Sequence, residues 1–551
     1  MVSKRIVYTA LICAFVFITF QILIPSQQVE TSPSFTKEEA IDKAIEFIHN
    51  SDVFKGKLQL NDAVRPTVIY QSNSSLTGYL DKHQLFDQYE KWGTLAPYDA
   101  YEVLIDAKYD DKPSIVKVFV HMKTGKIIGF RNDELSPSAT SNLGEGRNAN
   151  NNHISNKVPL TAILGVTEAM GWGDYTTKLQ DSSIEDNDMI YNISDGKVGD
   201  ATLALRYSYK NGEVIAAEPL WILPDSYLRE EQHQSAAASL TYNFVHVLMS
   251  ILLSAYTLLT YIRFRKSIRF GSITFLLLAC ISCTLSLVHI WSMLPSSSAL
   301  RYQLPIELID MNSTMMFQYG VTILQSLLLY LSLHTGKYLW DSNGSHTMCL
   351  KWSDPPFGKE LVRSFICGLT YAGILLGLQA IIYWTFSVGG FTWSSTNAAQ
   401  SPINLRLSLL LPFMAWVAAI SEEGIYRYLG TALFMKWFKN PFVAGIIPTM
   451  IWAAGHATYP IYPFYVRPIE AFCLGLVFLY IMIKHNWWTA MFAHLMLDTF
   501  IMNLPGFLEG SISSFIWSSI AIVIPGIVVF LFSKLHLRLS NKRAILNNGY
   551  K

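Results

Sequence analysis

The sequence predicts a polytopic α-helical membrane protein of about ten spans, with an α+β extracytoplasmic domain inserted between spans 1 and 2. Two features carry this prediction. The 551 residues are 51% hydrophobic and only 15% charged, whereas soluble domains carry about 25% charged residues. The apolar residues are also grouped, because residues 6–24 and the chain beyond residue 240 hold long apolar runs and the region between them is polar.

The charge distribution divides the chain in the same way. Residues 25–240 hold 31 acidic and 20 basic residues, a net charge of −11, and the remainder carries +12. A basic excess in apolar sequence is typical of the cytoplasmic loops of membrane proteins, so no nucleic-acid partner is expected. None of the six cysteines lies between residues 25 and 240, and that region therefore has no disulfide even if it lies in an oxidising compartment.

Residues 1–24 are predicted to form an N-terminal membrane anchor. Residues 6–24 are uncharged, and Lys4 and Arg5 precede them. A span needs about 20 apolar residues, whereas the core of a signal peptide has about 7–15. We therefore expect an uncleaved anchor with a cytoplasmic N-terminus, and a cleaved signal peptide is the alternative.

Residues 25–134 are predicted to form an α+β module. Thr36 and Glu39 have the spacing of a capping box, and the helix that they open carries apolar residues on one face. A strand at 101–105 follows, and then a hairpin of 116–122 and 126–130 that turns at Gly125. This order of elements resembles the PepSY-type module of bacterial extracytoplasmic proteins.

A polar linker is predicted at 135–157, and a second α+β module at 158–240. The second module has a helix near 160–170, a turn at Asn211 and Gly212, and a strand at 214–223. The two turn glycines, Gly125 and Gly212, leave two interpretations open: a duplicated module, or one irregular domain.

From residue 241 the chain is predicted to cross the membrane nine more times. Residues 241–400 hold additional transmembrane helices, 401–535 a membrane core, and 536–551 a cytoplasmic tail. The candidate spans are 241–262, 271–293, 315–334, 364–387, 407–436, 441–458, 468–483, 487–503 and 513–533.

The basic residues predict the orientation of these spans. They concentrate in alternate loops, at 263–269, 337–363, 436–439, 484 and 534–543. The positive-inside rule then places these loops and both termini in the cytoplasm of a cell and residues 25–240 outside its membrane. In that position, residues 25–240 would recruit or restrain a substrate.

Three of the later spans carry ionisable groups, which are costly in a bilayer and mark candidate functional sites. Because residues four apart share a helix face, we expect a buried ion pair between Glu423 and Arg427, with Glu422 turned toward the histidines. The groups are Glu422, Glu423 and Arg427 in the sixth span, His456 in the seventh, and His494 and Asp498 in the ninth.

A carboxylate with two histidines can bind a metal ion or activate water by general base catalysis. Both options favour hydrolysis within the bilayer. A proton relay or coupling site in a transporter uses the same residue types. However, the sequence lacks the matched halves with interrupted helices that are typical of many transporters.

The ordered motifs resemble those of a known family. Glu-Glu-xxx-Arg at 422–427, Trp452 followed by His456, and His-xxx-Asp at 494–498 are similar to the motifs of the CPBP family, also called ABI, of CAAX-type prenyl endopeptidases and bacteriocin-processing proteins. The resemblance covers residues 405–503. It implies an intramembrane endopeptidase for membrane-associated, prenyl/CAAX-like or peptide-precursor substrates in the lipid bilayer. An inactive scaffold or immunity protein of the same fold, and a transporter, are the alternatives.

The resemblance also implies residue roles. Glu422 would activate the water, and His456 would position it or share a metal. His494 and Asp498 would line the oxyanion side.

Two positions depart from the family pattern. Trp452 replaces the usual Phe, and we expect it to keep the packing role. Asp498 stands where Asn is frequent, and an ionised Asp cannot donate to an oxyanion. Asp498 would then be a metal ligand, a partner that orients His494, or a protonated donor. Of these, the metal is favoured, as a zinc ion bound by Glu422, His456, His494 and Asp498.

His456 lies deep along its span, further from the inner end than the other groups. A tilt or a break in the helix, for which Pro448 is the candidate, is expected to bring it level with them.

Overall fold

The computed structural model describes residues 3–23, 33–61, 63–134, 160–185, 188–210, 213–300, 311–390, 392–508 and 511–548. The predicted linker at 135–157 and the predicted turn at Asn211 and Gly212 lie outside these residues. A helix, α1 (Lys4–Leu23), stands where the anchor was predicted. A β-sheet domain and then a helical core follow it along the chain.

Helix α2 (Lys37–Asn50) opens the sheet domain, and its N-terminus confirms the predicted capping box. The Thr36 hydroxyl accepts from the Glu39 backbone N–H at 3.2 Å, and the Glu39 carboxylate accepts from the Thr36 N–H at 2.7 Å. Two donors that would otherwise lack partners at the helix start are thus satisfied. Two more helices of this domain are α3 (Ser74–His83) and α4 (Leu160–Ala169).

Nine strands form one sheet within the described part of the chain. The predicted hairpin is present as β4 and β5, and Gly125 at its turn has the positive φ that favours glycine. The strands are β1 (Leu58–Leu60), β2 (Thr67–Ser72), β3 (Asp99–Tyr109), β4 (Lys112–His121), β5 (Ile127–Glu134), β6 (Leu179–Glu185), β7 (Asp188–Val198), β8 (Ala201–Lys210) and β9 (Glu213–Ile222).

Strands from both predicted modules share this sheet. Its order is β1-β3-β4-β5-β9-β8-β7-β6, and β2 also pairs with β3. The halves join where β5 pairs antiparallel with β9, with Phe130 opposite Ala217. Arg131 of β5 forms an ion pair with Glu218 of β9 at the same place. One buried cluster holds side chains from both halves, including Phe130 and Tyr207. The two halves therefore fold around a common hydrophobic core.

The helical core follows the sheet domain. Its helices are α5 (Asp225–Phe264), α6 (Ile273–Ser292), α7 (Met311–Ser342), α8 (Phe357–Val388), α9 (Ser408–Phe438), α10 (Pro441–Ala454), α11 (Val466–Lys484), α12 (Trp487–Leu508) and α13 (Ile512–Asn548). Each of the nine candidate spans beyond residue 240 falls on one of them. Within the described residues, eight of these helices are long and apolar enough to cross a membrane. The chain is therefore a multi-pass membrane protein.

Helix α10 is the one that falls short, and the count of ten spans therefore stays a prediction. It has 14 residues, which corresponds to about 21 Å, whereas the hydrocarbon core is about 30 Å thick. The expected break at Pro448 is wrong, because α10 continues through this proline and ends at Ala454. His456 consequently lies beyond the helix, in the turn that follows it.

Helix α1 packs along α8 at two glycines. A Cβ added at Gly377 would lie 2.5 Å from Cys13 Cβ, and one at Gly373 would lie 3.2 Å from the Ala10 carbonyl oxygen. Small residues at such a contact let two helices approach closely within a membrane. All six cysteines lie in described residues and are free.

The sheet domain contacts the helical core directly. The Asn404 amide, just before α9, accepts from the Tyr70 N–H at 2.7 Å and donates to the Tyr70 carbonyl at 2.8 Å. Tyr70 belongs to β2, and these two bonds replace those of a neighbouring strand. The contacts formed by loops 392–406 and 455–465 lie on the same side of the core.

Candidate active site

Helix α9 changes from α-helical to π-helical geometry where it carries the ionisable pair Glu423 and Arg427. Its turns from Glu423 to Gly430 are π-helical, a form that is rare and frequently found at functional sites. Glu423 Oε1 lies 3.2 Å from Arg427 Nη1, and both side chains are fully buried. The predicted ion pair is therefore present.

His494 of α12 lies between carboxylates. Its Nδ1 is 2.9 Å from Glu423 Oε1, and its Nε2 is 3.3 Å from Asp498 Oδ2. Glu422 Oε2 lies 3.9 Å from the same Nε2. Glu423 consequently has two partners, Arg427 and His494, whereas the sequence predicted only the first.

Trp452 of α10 joins these groups. Its indole Nε1–H donates to Glu422 Oε2. The Arg427 guanidinium lies 3.6 Å from the centroid of the Trp452 ring, a cation–π contact that a desolvated site strengthens. The ring also makes an edge contact with His494, at 5.8 Å between centroids. Trp452 therefore packs against its neighbours as predicted, and it also donates a hydrogen bond that phenylalanine cannot make.

Charge and ring contacts, rather than aligned hydrogen bonds, surround the Arg427 guanidinium. Within the described residues, Nε, Nη1 and Nη2 of Arg427 have no hydrogen-bond partner. Space for the guanidinium comes from Gly475 of α11, where an added Cβ would lie 2.7 Å from Nη2. The charge of Arg427 is balanced by Glu423 and by the electron-rich face of Trp452.

Glu422 and Asp498 border accessible space, and their neighbours do not. The Glu422 side chain is 30% exposed and that of Asp498 is 24% exposed. Glu423 is fully buried and His494 nearly so. The two partly exposed carboxylates thus both lie close to the His494 Nε2, at 3.9 Å for Glu422 and 3.3 Å for Asp498.

The helices that carry this cluster match a family. Residues 404–500 match the model of Type II CAAX prenyl endopeptidase Rce1-like. The match supports the predicted resemblance of the core and suggests intramembrane protease activity. It does not extend into the sheet domain, whose PepSY resemblance stays a prediction. No curated protein and no solved structure matches the chain.

Within the Rce1-like segment, His456 stands slightly apart from the other predicted site residues. Its Nδ1 is 3.3 Å from the Trp452 carbonyl oxygen, and its ring packs against that of Trp452 at 4.8 Å between centroids. On its other side it stacks on Tyr459, at 5.6 Å. Trp452 thus lies between His456 and the cluster around His494.

The donor set for the predicted zinc ion is not assembled in this arrangement. Among the described residues, no three His, Cys, Asp or Glu side chains are placed so that they would hold a metal ion. Both nitrogens of His494 already face carboxylates of the Rce1-like segment. A zinc ion held by Glu422, His456, His494 and Asp498 stays a prediction, and it would require these side chains to move closer together.

The Rce1-like segment also holds an ion pair that the sequence reasoning missed. Arg467 and Glu470, one turn apart at the start of α11, contact each other, and Glu470 is fully buried. Arg467 also donates to the Tyr383 hydroxyl at 3.3 Å and lies 5.1 Å from the Tyr459 ring centroid. The signal was available, because Glu470 is an acidic residue inside an apolar run.

Proposed function

We propose that the chain is an intramembrane endopeptidase in which Glu422 activates the attacking water. The observation that carries the proposal is that the partly exposed carboxylates of Glu422 and Asp498 both lie close to the His494 Nε2. A carboxylate beside an imidazole, in a site that excludes most water, is a suitable arrangement for general base catalysis.

In the proposed reaction, Glu422 accepts a proton as the water oxygen attacks the carbonyl carbon of the peptide bond. The His494 Nε2–H, which faces Asp498 before the substrate binds, donates instead to the oxyanion and stabilises the tetrahedral intermediate. The carbon–nitrogen bond then breaks, and Glu422 returns the proton to the leaving amine. Because Nδ1 of His456 faces the Trp452 carbonyl, its Nε2 is the nitrogen that would position the water.

The remaining residues orient this pair. Trp452 donates to Glu422 and so limits its rotation. Glu423 fixes the His494 ring through Nδ1, and Arg427 balances the charge of Glu423. Asp498 holds the Nε2 side of the same ring. Rigid support of this kind keeps reacting groups in a productive geometry.

The proposed substrate is a membrane-associated peptide or protein, of the CAAX-like or peptide-precursor type. We further propose that the protein lies in the cell membrane with both termini cytoplasmic and residues 25–240 outside. Support comes from the contacts of the sheet domain, which reach loops 392–406 and 455–465, both predicted to be extracytoplasmic from the charge distribution.

The test compares cells that produce wild type, Glu422→Gln or Glu90→Gln as the control. Glu90 is an exposed acid of the sheet domain. Mass spectrometry of peptide termini in membrane fractions should detect a product with wild type and the control that is missing with Glu422→Gln. Identical termini in all three samples would contradict the proposal.

The zinc prediction is decided by elemental analysis of the purified proteins. Stoichiometric zinc in wild type, lost in both Glu422→Ala and His494→Ala, would support the zinc site. An active and metal-free wild type would contradict it.

A further inference from the structure

The segment after α10 links His456 to the sheet domain. We name residues 455–465 the outer turn, and it carries His456 and Tyr459. Near its end lies a short strand, β11 (Ile461–Tyr462), which pairs antiparallel with β10 (Trp393–Ser394). The Ser395 N–H also donates to the Pro460 carbonyl at 3.0 Å. The outer turn is therefore held by the loop that precedes α9.

Helix α3 of the sheet domain holds β10 in turn. Asp81 Oδ2 accepts from the Ser394 N–H at 2.6 Å and from the Ser394 hydroxyl at 3.2 Å. One turn earlier in α3, the Thr77 hydroxyl accepts from the Thr396 N–H at 3.1 Å. Hydrogen bonds that involve a charged partner are stronger than neutral ones, so Asp81 is the principal anchor of β10.

Aromatic rings reinforce this connection. Trp393 of β10 stacks on Tyr462 of β11, with 5.5 Å between centroids and 21° between planes. The Lys82 ammonium lies 4.2 Å from the centroid of the Trp393 ring. The close fit leaves no room at Gly78 of α3, where an added Cβ would lie 2.5 Å from the Tyr227 hydroxyl and 3.3 Å from Ser395 Cβ.

A second anchor reaches the outer turn from α5. The Gln234 side chain accepts from the Phe464 N–H at 3.0 Å. Gln234 lies in the part of α5 that emerges from the sheet domain. The outer turn is thus held at its far end by two independent groups, Asp81 through β10 and Gln234 directly.

We propose that the sheet domain completes the active site, with Asp81 as a positioning residue that fixes His456 through β10 and the outer turn. This inference rests on the proposed endopeptidase function. Five residues separate His456 from Tyr462, so a shift of β11 moves the histidine relative to Trp452 and Glu422. A contact that served only to attach the domain would have no reason to converge on this turn.

The test uses full-length protein in lipid nanodiscs and hydrogen–deuterium exchange measured by mass spectrometry. Asp81→Asn and Gln234→Leu each remove one anchor, and Asp87→Asn alters an exposed acid of the same domain as the control. We expect amides of the outer turn to exchange about tenfold faster in the first two variants, with the amides of β4 unchanged. Gln234→Leu leaves α3 intact, so a folding defect of Asp81→Asn would not obscure the result.

The same variants are assayed on the precursor that wild type cleaves and Glu422→Gln does not. Loss of positioning should lower kcat about tenfold and leave KM within a factor of about two, because the substrate-binding surface is unaltered. Asp81→Glu, which keeps the charged acceptor, should recover part of kcat.

Unchanged exchange in the outer turn of both variants would overturn the inference, as would faster exchange with an unchanged kcat. The exchange measurement needs no catalysis. If wild type and Glu422→Gln give the same products, the endopeptidase proposal fails by itself, and the exchange rates still decide whether the sheet domain holds the outer turn.

Discussion

The indole Nε1–H of Trp452 donates to Glu422 Oε2, joining the end of α10 to the middle of α9. Trp452→Phe keeps an aromatic ring for Arg427 and removes this donor. Since a hydrogen bond to a charged group contributes about 1.5–3 kcal/mol, we expect precursor cleavage to slow about tenfold or more. The measurement is kcat in nanodiscs. Trp437→Phe, at an exposed tryptophan of α9, is the control and should match wild type. Equal rates for Trp452→Phe and wild type would show that this hydrogen bond does not support catalysis.

The buried ion pair between Glu423 and Arg427 can be tested by removing one charge and then both. Arg427→Met breaks the buried ion pair and leaves Glu423 with the His494 ring as its partner; breaking a buried pair from one side costs about 3–5 kcal/mol. The double variant Glu423→Gln with Arg427→Met removes both charges and should regain part of the loss. Thermal unfolding midpoints in detergent provide the measurement. A double variant less stable than Arg427→Met would contradict the assigned pairing.

A larger residue at Gly475 is expected to clash with the side chains around Arg427 and to destabilise the protein. In Gly475→Ala, the new Cβ would lie 2.6 Å from Thr449 Cγ2 and 2.9 Å from the Trp452 ring. Overpacking of this kind costs about 1–3 kcal/mol, and the thermal unfolding midpoint should fall. Gly320→Ala is the control, because no atom lies within 4 Å of its added Cβ. Equal midpoints for the two variants would show that the space around Arg427 is not tightly packed.

His121 predicts that acid destabilises the sheet domain. Burial lowers the pKa of this histidine. Its Nε2–H donates to the Gly93 carbonyl at 3.1 Å, and its Nδ1 accepts from the Lys123 N–H at 3.0 Å, so a proton on Nδ1 would break the second bond. The unfolded chain, with a histidine pKa of about 6.5, then binds a proton that the folded chain resists.

Stability should therefore be full above about pH 6.5 and decrease below it, by up to about 1.4 kcal/mol per pH unit. Exchange of β4 amides between pH 7 and 5, corrected for intrinsic rates, measures this decrease. It should be smaller in His121→Asn, and the exposed His49→Gln should behave like wild type. The same pH dependence in all three proteins would assign the effect to other groups.

Local patterns predicted most of the membrane core. Hydropathy placed a helix at each of the nine runs beyond residue 240, because a span is defined by its own composition. The pair Glu423–Arg427 followed from helix geometry alone, and it is present. The capping box at Thr36 is equally local, and it too was predicted correctly.

Features that depend on distant parts of the chain were missed. The end of α10 had a local signal that was not used, because Gly455 is the C-cap directly before His456 and glycine is frequent at helix ends. The contacts of the following turn with β10 had no such signal. The donor role of Trp452 depends on α9 lying beside α10. The pairing of β5 with β9 could not be predicted either, because Phe130 and Ala217 are 87 positions apart, and Arg131 and Ala216 are 85 apart. Such contacts leave no periodic signal in sequence.

The two hydrogen bonds between Asn404 and Tyr70 affect whether another polypeptide can pair with the edge of the sheet at β2. An open sheet edge allows an extended polypeptide to add as a further strand. The Asn404 side-chain amide presents one acceptor and one donor to β2. It thereby occupies the backbone N–H and carbonyl of Tyr70, to which an added strand would bind. At this point of the edge, an extended peptide or the edge strand of a second copy therefore finds the backbone groups of Tyr70 already bonded to Asn404.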